Sequence, residues 1–294
     1  MLPIKQKHMS QATKPRWKKR VLWLLLGTLG LTCLLVIWWR TASAPASTNP
    51  FEPPEMAASR YAPRDVMGDL GGVPVTIPRH FANYVEYEGD PSWGEKRQGS
   101  KPERTHQSKL VSFGYYTRFP DMAGESSAEL IKDKRSYSSS KTPWISVGIN
   151  TGKDYPGDGF LDRWTHATAE TPNVILKYEN YEKLPVKEHG LTVYAAAGID
   201  PKTGKPYRVD TNAEDVFVSR DKSGRVDAHI QCSNRNVPAP PCTHDFSLEP
   251  YMHAKVYLSY RRSQLANWRE IQEAVRQQIL DFKVESKTAE PAKP

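Results

Sequence analysis

Cysteine is scarce in this chain, and its three copies, Cys33, Cys232 and Cys242, make no CxxC pair of the redox or zinc type. Other signatures of chemistry are missing too. There is no GxSxG elbow to activate a serine and no Walker loop to cradle a nucleotide triphosphate. The histidines show no HxxxH or HxH spacing. The run Gly157–Asp162 lacks the third glycine of a dinucleotide fingerprint, and no strand pattern leads into it. These absences predict neither a catalytic residue nor a cofactor nor a metal site.

Negative charge is absent from one stretch: no Asp or Glu occurs in the first 40 residues. Charge of either sign is absent from Val21 to Trp39, 19 consecutive residues and enough helix to cross most of a ~30 Å hydrocarbon core. Seven cationic residues precede that run (Lys5, Lys7, Lys14, Arg16, Lys18, Lys19, Arg20) and Arg40 alone follows it closely. The step predicts a single-pass inner-membrane anchor with a cytoplasmic basic tail over 1–20 and everything after residue 40 in the periplasm. Trp17, Trp23, Trp38 and Trp39 suit the two interfaces. Ala44-Pro45-Ala46 offers small residues to signal peptidase, but the apolar core exceeds that of a cleaved signal and the prolines disfavour cutting. Cys33 follows Gly30-Leu31-Thr32 and runs into more apolar residues, which reads as a plain membrane residue.

The net charge of +8 has the same origin. Removing the eight basic residues of the first 40 leaves 33 of each sign, so the exported part is neutral. The basic balance is a topology signal, and nucleic acid is excluded as a partner.

After the span, residues 40–64 are proline-rich and without hydrophobic period, which predicts a semi-extended spacer. Residues 286–294 form a Lys/Pro/Glu tail. Between them, 65–285 carry strand patterns at Val73–Pro78, Asn83–Glu88, Lys109–Phe119, Trp144–Ile149, Leu191–Gly198, Asp215–Asp221, Arg225–Cys232 and His253–Tyr260. Asp221-Lys222-Ser223-Gly224 is a tight-turn sequence that makes its flanking strands antiparallel. Val256, Leu258 and Tyr260 alternate, as in a strand covered on one face. Leu265, Trp268, Ile271, Val275, Ile279 and Phe282 recur at helical spacing, which predicts a closing amphipathic helix buried against the sheet. The fold class is α+β, a mostly antiparallel sheet domain with a C-terminal helix.

Cys232 and Cys242 are the two cysteines of the exported part and flank a proline-rich loop, so an oxidising compartment predicts a structural disulfide between them. Antiparallel register through that pair places residue 230 opposite 244 and 229 opposite 245. His229 and His244 then point to opposite faces and cannot share an ion. Asp154–Asp162 resembles a calcium loop at first sight, yet an EF-hand needs an oxygen ligand where Pro156 stands and a bidentate Glu where Thr165 stands. The charged, glycine-rich run Gly89–Thr105 reads as a long exposed loop, and Trp93, Glu95, Lys96 and Arg97 on it are the candidate contact residues.

The runs VPVTIPRHFANYVEYEGDPSWGEKRQG, PGDGFLDR, KEHGLTVYAAAGIDPKTGKPYR, CSNRNVPAPPC and FSLEP together resemble a group of proteobacterial proteins with one N-terminal membrane anchor and a periplasmic domain. Such proteins occur beside antibacterial type VI secretion effectors of the phospholipase type, in the position of immunity proteins. The resemblance spans about 65–285 and implies a membrane-held protein that binds another protein, with no catalytic or ligand residue to transfer. The other readings are an accessory or assembly subunit of a cell-envelope complex and an enzyme acting on envelope material.

Overall fold

The strand runs of the sequence join into one antiparallel sheet of ten strands in the computed structural model, which describes residues 64–91, 94–137 and 141–284. The expected anchor 21–39, nearly all of the spacer and the tail 286–294 lie outside the described residues. No helix among the described residues is long and apolar enough to cross a membrane.

A separate hairpin, β1 (Val66–Leu70) and β2 (Val73–Ile77), opens the described chain. Its turn needs Gly71, at φ +59°, where a Cβ would also lie 2.5 Å from the His253 carbonyl oxygen. Leu70, Val75 and Ile77 of the hairpin are fully buried in the main core. The large sheet comprises β3 (Asn83–Tyr87), β4 (Leu110–Arg118), β5 (Ala123–Gly124), β6 (Trp144–Asn150), β7 (Tyr181–Lys183), β8 (Thr192–Ala196), β9 (Glu214–Arg220), β10 (Val226–Ser233), β11 (Pro241–Ser247) and β12 (Lys255–Arg261). Its order is β3-β4-β6-β12-β11-β10-β9-β8-β7, with β5 on β4. The Asp221–Gly224 turn joins β9 to β10 antiparallel, as its sequence requires.

The register builds two faces. Tyr115, Val147, Leu258, His244, Ile230, Phe217 and Val193 stand opposite one another in successive strands and form one row of the core face. Helix α3 (Trp268–Leu280) covers this face. All six apolar residues of the stripe read from the sequence are buried. The helix starts at Trp268, later than the stripe does, because Arg262–Asn267 leaves β12 as a tighter 3-10 turn that swings the chain back over the sheet.

The opposite face is covered only in part. On β9, Val216 and Val218 point away from Phe217, and that second apolar set is met by Phe160 and Leu161 of α2 (Phe160–Thr165) and by Ala169 of the π-helical turn 166–170. A strand buried on both faces reads as a continuous apolar run, and DVFVS does. Strand β12 alternates instead, with Val256, Leu258 and Tyr260 buried and Tyr257 exposed. Helix α1 (Ala128–Ser136) sits at the β4–β6 side; it is capped by Ser127, whose hydroxyl accepts from Leu130 N, and buries one residue, Ile131.

Candidate functional site

The expected disulfide is present. Cys232 and Cys242 are bonded across β10 and β11, buried, with Ile230 opposite His244 and His229 opposite Asp245. The histidines diverge as the register requires. His244 lies on the core face, where Nε2 donates to Gln272 Oε1 at 2.8 Å and the Tyr260 hydroxyl sits 3.2 Å from Nδ1. Burial pushes its pKa down to about 3. His229 lies on the other face, 2.9 Å from the Thr165 hydroxyl through Nδ1 and stacked on Trp164. Burial, helped by the nearby Lys255 charge, lowers its pKa to about 4. Beside it Asp245 pairs with Lys255 at 3.0 Å; burial raises the carboxyl pKa and the lysine only partly offsets that. Both rings are neutral packing groups, and no set of His, Cys, Asp and Glu among the described residues could hold a metal.

Two of the three carboxylates of Asp154–Asp162 have other partners than calcium. Asp158 pairs with Arg225, while Asp162 accepts from Arg220 at 3.1 Å and from Val226 N at 3.0 Å. Arg163 donates to the Pro156 and Asp158 carbonyls, closing the turn that leads into α2. The segment pins α2 to the β9–β10 hairpin.

Of the loop residues singled out from sequence, Trp93 lies outside the described residues, and Glu95, Lys96 and Arg97 are exposed. Arg97 also has a local role. It pairs with Asp90 at 2.5 Å, Arg104 joins the same carboxylate, and Arg104 lies 4.2 Å over the Tyr87 ring. Burial raises the Asp90 pKa, but the two arginines and the Tyr87 N–H outweigh it and hold the group below its ordinary range. Asp90 therefore fastens the base of the loop to β3.

Two surface features were not singled out by sequence. The first is a strip of sheet that, among the described residues, is left open between α1 and the α2 segment. Across it run Tyr116, Ser146, Ser259, Thr243 and Gln231, directly opposite one another in five successive strands. The next row holds Gly114, Gly148 and Tyr257. Gly148 is required there because the half-exposed Tyr257 ring lies over it; a Cβ would sit 2.1 Å from a ring carbon. The strip is small, polar and aromatic, the composition of a surface on which another chain can lie.

The second is a display of aliphatic side chains on the loops flanking β7 and β8. Val174 is 77 % exposed, Ile175 83 %, Ile199 64 % and Val209 59 %. The backbone beneath the first pair is held by design: Asn173 Oδ1 accepts from both Ile175 N and Leu176 N, an Asx turn that projects the side chains outward. The short turns 177–179 and 207–209 pack together and tie the two loops. The signal in the sequence was the unperiodic run VIL after Pro172-Asn173, too short to count as a strand.

No protein-family model matches the chain, and a search of characterised proteins finds no relative. Among solved structures the chain is similar to an immunity protein of the Stenotrophomonas maltophilia type IV secretion system, at 20 % identity and a TM-score of 0.47, over 76 % of this chain and 94 % of that one.

Proposed function

We propose that this protein acts by binding another protein, as an immunity protein that neutralises a secreted antibacterial effector. The observation that carries the reading is the projection of Val174, Ile175, Ile199 and Val209 into solvent on tied loops. Exposed aliphatic groups on a fastened backbone lose little entropy when a partner covers them and gain the full benefit of removal from water. The sequence resemblance supplies the class of partner, a type VI secretion effector of the phospholipase type. The charge step around 21–39 supports an inner-membrane anchor that keeps the domain in the periplasm, where such an effector would act.

The test is genetic and biochemical. A deletion strain should become sensitive to the effector encoded beside the gene, and the protein should bind that effector in a fixed ratio. Val174→Glu with Ile175→Glu should abolish protection while the melting temperature stays unchanged. A deletion strain indistinguishable from the parent under attack rejects the immunity role. Integral membrane partners in place of a soluble one would put an envelope-assembly subunit ahead. Alkaline phosphatase fused after Pro294 should be active, and an inactive fusion overturns the topology.

A further inference from the structure

Where α1 leans over the open strip, the structure holds a cavity of about 310 Å³. Its floor is formed by Ser146 and Ser259, which face each other across β6 and β12. Tyr116 and Trp144 contribute aromatic walls, and the charged side chains lining it are Lys134 and Arg261, both cationic.

The two cations are held in different ways. Lys134 is fixed by an ion pair to the buried Glu125 at 2.6 Å and lies 3.5 Å over the Tyr116 ring. Arg261 donates to the Ala239 carbonyl at 3.3 Å and, among the described residues, forms no ion pair with a carboxylate. Asp133 of α1 is committed elsewhere: it accepts from Arg118 at 3.0 Å and from the Trp144 indole at 3.1 Å. The cavity thus presents two serine hydroxyls and one cation, Arg261, that meets no carboxylate among the described residues, while the Lys134 charge is balanced by Glu125. Such a concavity favours an anion on electrostatic grounds, and a guanidinium favours a carboxylate by its fork of donors.

The position decides which source of anion fits. The cavity is one end of a strip that continues over Thr243 and Gln231 to the α2 segment, and residues 171–176 with their aliphatic side chains leave directly from that segment. From β12 to β8 is four strand spacings, roughly 19 Å. That is within the breadth of a standard interface of about 800 Å² per partner. We propose that the cavity receives an Asp or Glu side chain of the protein partner, with Arg261 as the pairing group and Lys134, Ser146 and Ser259 completing the recess. This deepens the protein-binding reading and rests on it; it gives the partner an acidic anchor in addition to an apolar contact.

The experiment follows the side-chain N–H resonances of Trp144 and Arg261 in the full chain, titrated with a short peptide carrying two glutamates, with its glutamine counterpart, and with inorganic phosphate. The glutamate peptide should shift both resonances saturably, and the glutamine peptide should bind about tenfold more weakly or worse. Arg261→Glu and, independently, the cavity-filling Ser259→Tyr should each remove the response in protein whose thermal unfolding matches the parent. An equal response to both peptides, or one that survives in either folded variant, overturns the proposal. Phosphate binding as tightly as the glutamate peptide also overturns it, because the recess would then be a small-anion site. Failure of these titrations while Val174→Glu with Ile175→Glu still loses the effector removes this contact alone. No effector binding by the parent protein, with the glutamate response intact, removes the protein-binding reading instead.

Discussion

Replacing Trp268 by alanine tests how the closing helix is held. Trp268 is 3 % exposed, begins α3, and packs edge-on to the His244 ring at 6.1 Å between centroids. Its indole N–H donates to the His189 carbonyl at 3.0 Å, which fastens a turn whose residue 189 sits at φ +52°. Truncating a buried tryptophan costs about 3–5 kcal/mol, the lost transfer energy plus that of an incompletely collapsed cavity. The His189 carbonyl adds little, since its residue is part-exposed and water can replace the indole. For a domain of this size each kcal/mol moves the melting temperature by about 2–4 °C, so a loss near 4 kcal/mol predicts a shift of roughly 8–16 °C. Trp268→Phe keeps most of the apolar area but loses part of the ring volume and the hydrogen bond, so it should lose about 1–2 kcal/mol. Differential scanning calorimetry of parent and both variants reads all three values. A Trp268→Ala melt that overlays the parent would refute the core assignment and make α3 a free interaction arm.

Reducing the Cys232–Cys242 bond, or replacing both residues by serine, should cost about 2–3 kcal/mol for a loop with a sequence separation of 10, and non-reducing mass spectrometry should show the linked peptides. Two free thiols in protein isolated without reductant under oxidising conditions would refute the bridge. Stability should also fall as pH drops below the ordinary histidine value of 6.5, because the unfolded chain then takes up protons that His244 and His229, at about 3 and about 4 when folded, refuse. Between pH 7 and pH 5 each contributes a loss of roughly 2 kcal/mol, readable from denaturant midpoints, and a flat profile would show that the rings are hydrated. Asp215 is almost fully buried, and burial alone would raise its pKa, but donors on Arg208, Arg262 and Asn234 outweigh it and lower the value. Its stabilisation is therefore complete above the ordinary carboxyl value of 3.8 and lost as pH falls further. Asp215→Asn should cost about 2–3 kcal/mol, less than a fully buried pair because the Arg208 side chain is 41 % exposed, and a neutral outcome by denaturant titration would refute the network.

Several of these features were legible in the chain itself. Alternation on β12 announced one buried face, and the stripe from Leu265 to Phe282 announced a helix against the sheet. The pairing of Cys232 with Cys242 fixed the register of β10 on β11 and with it the opposite destinations of His229 and His244. Each of these is encoded within one element or one hairpin, where backbone period alone sets which way a side chain points.

The rest was decided by packing between distant segments. Helix α1 has a single buried residue and so no apolar stripe to announce it; the Ser127 cap and the Lys134–Glu125 pair hold it instead. Arg97 reads as a solvated loop charge until Asp90 is seen to gather it together with Arg104. The exposure of Ile175 depends on what fails to cover it, and no local pattern records that. The cavity joins Lys134 on α1 to Arg261 at the end of β12, far apart in sequence and brought together because β6 lies between β4 and β12 in the sheet. Strand order and the partial covering of one face, which are properties of the whole chain's packing, created the surface on which the proposed function rests.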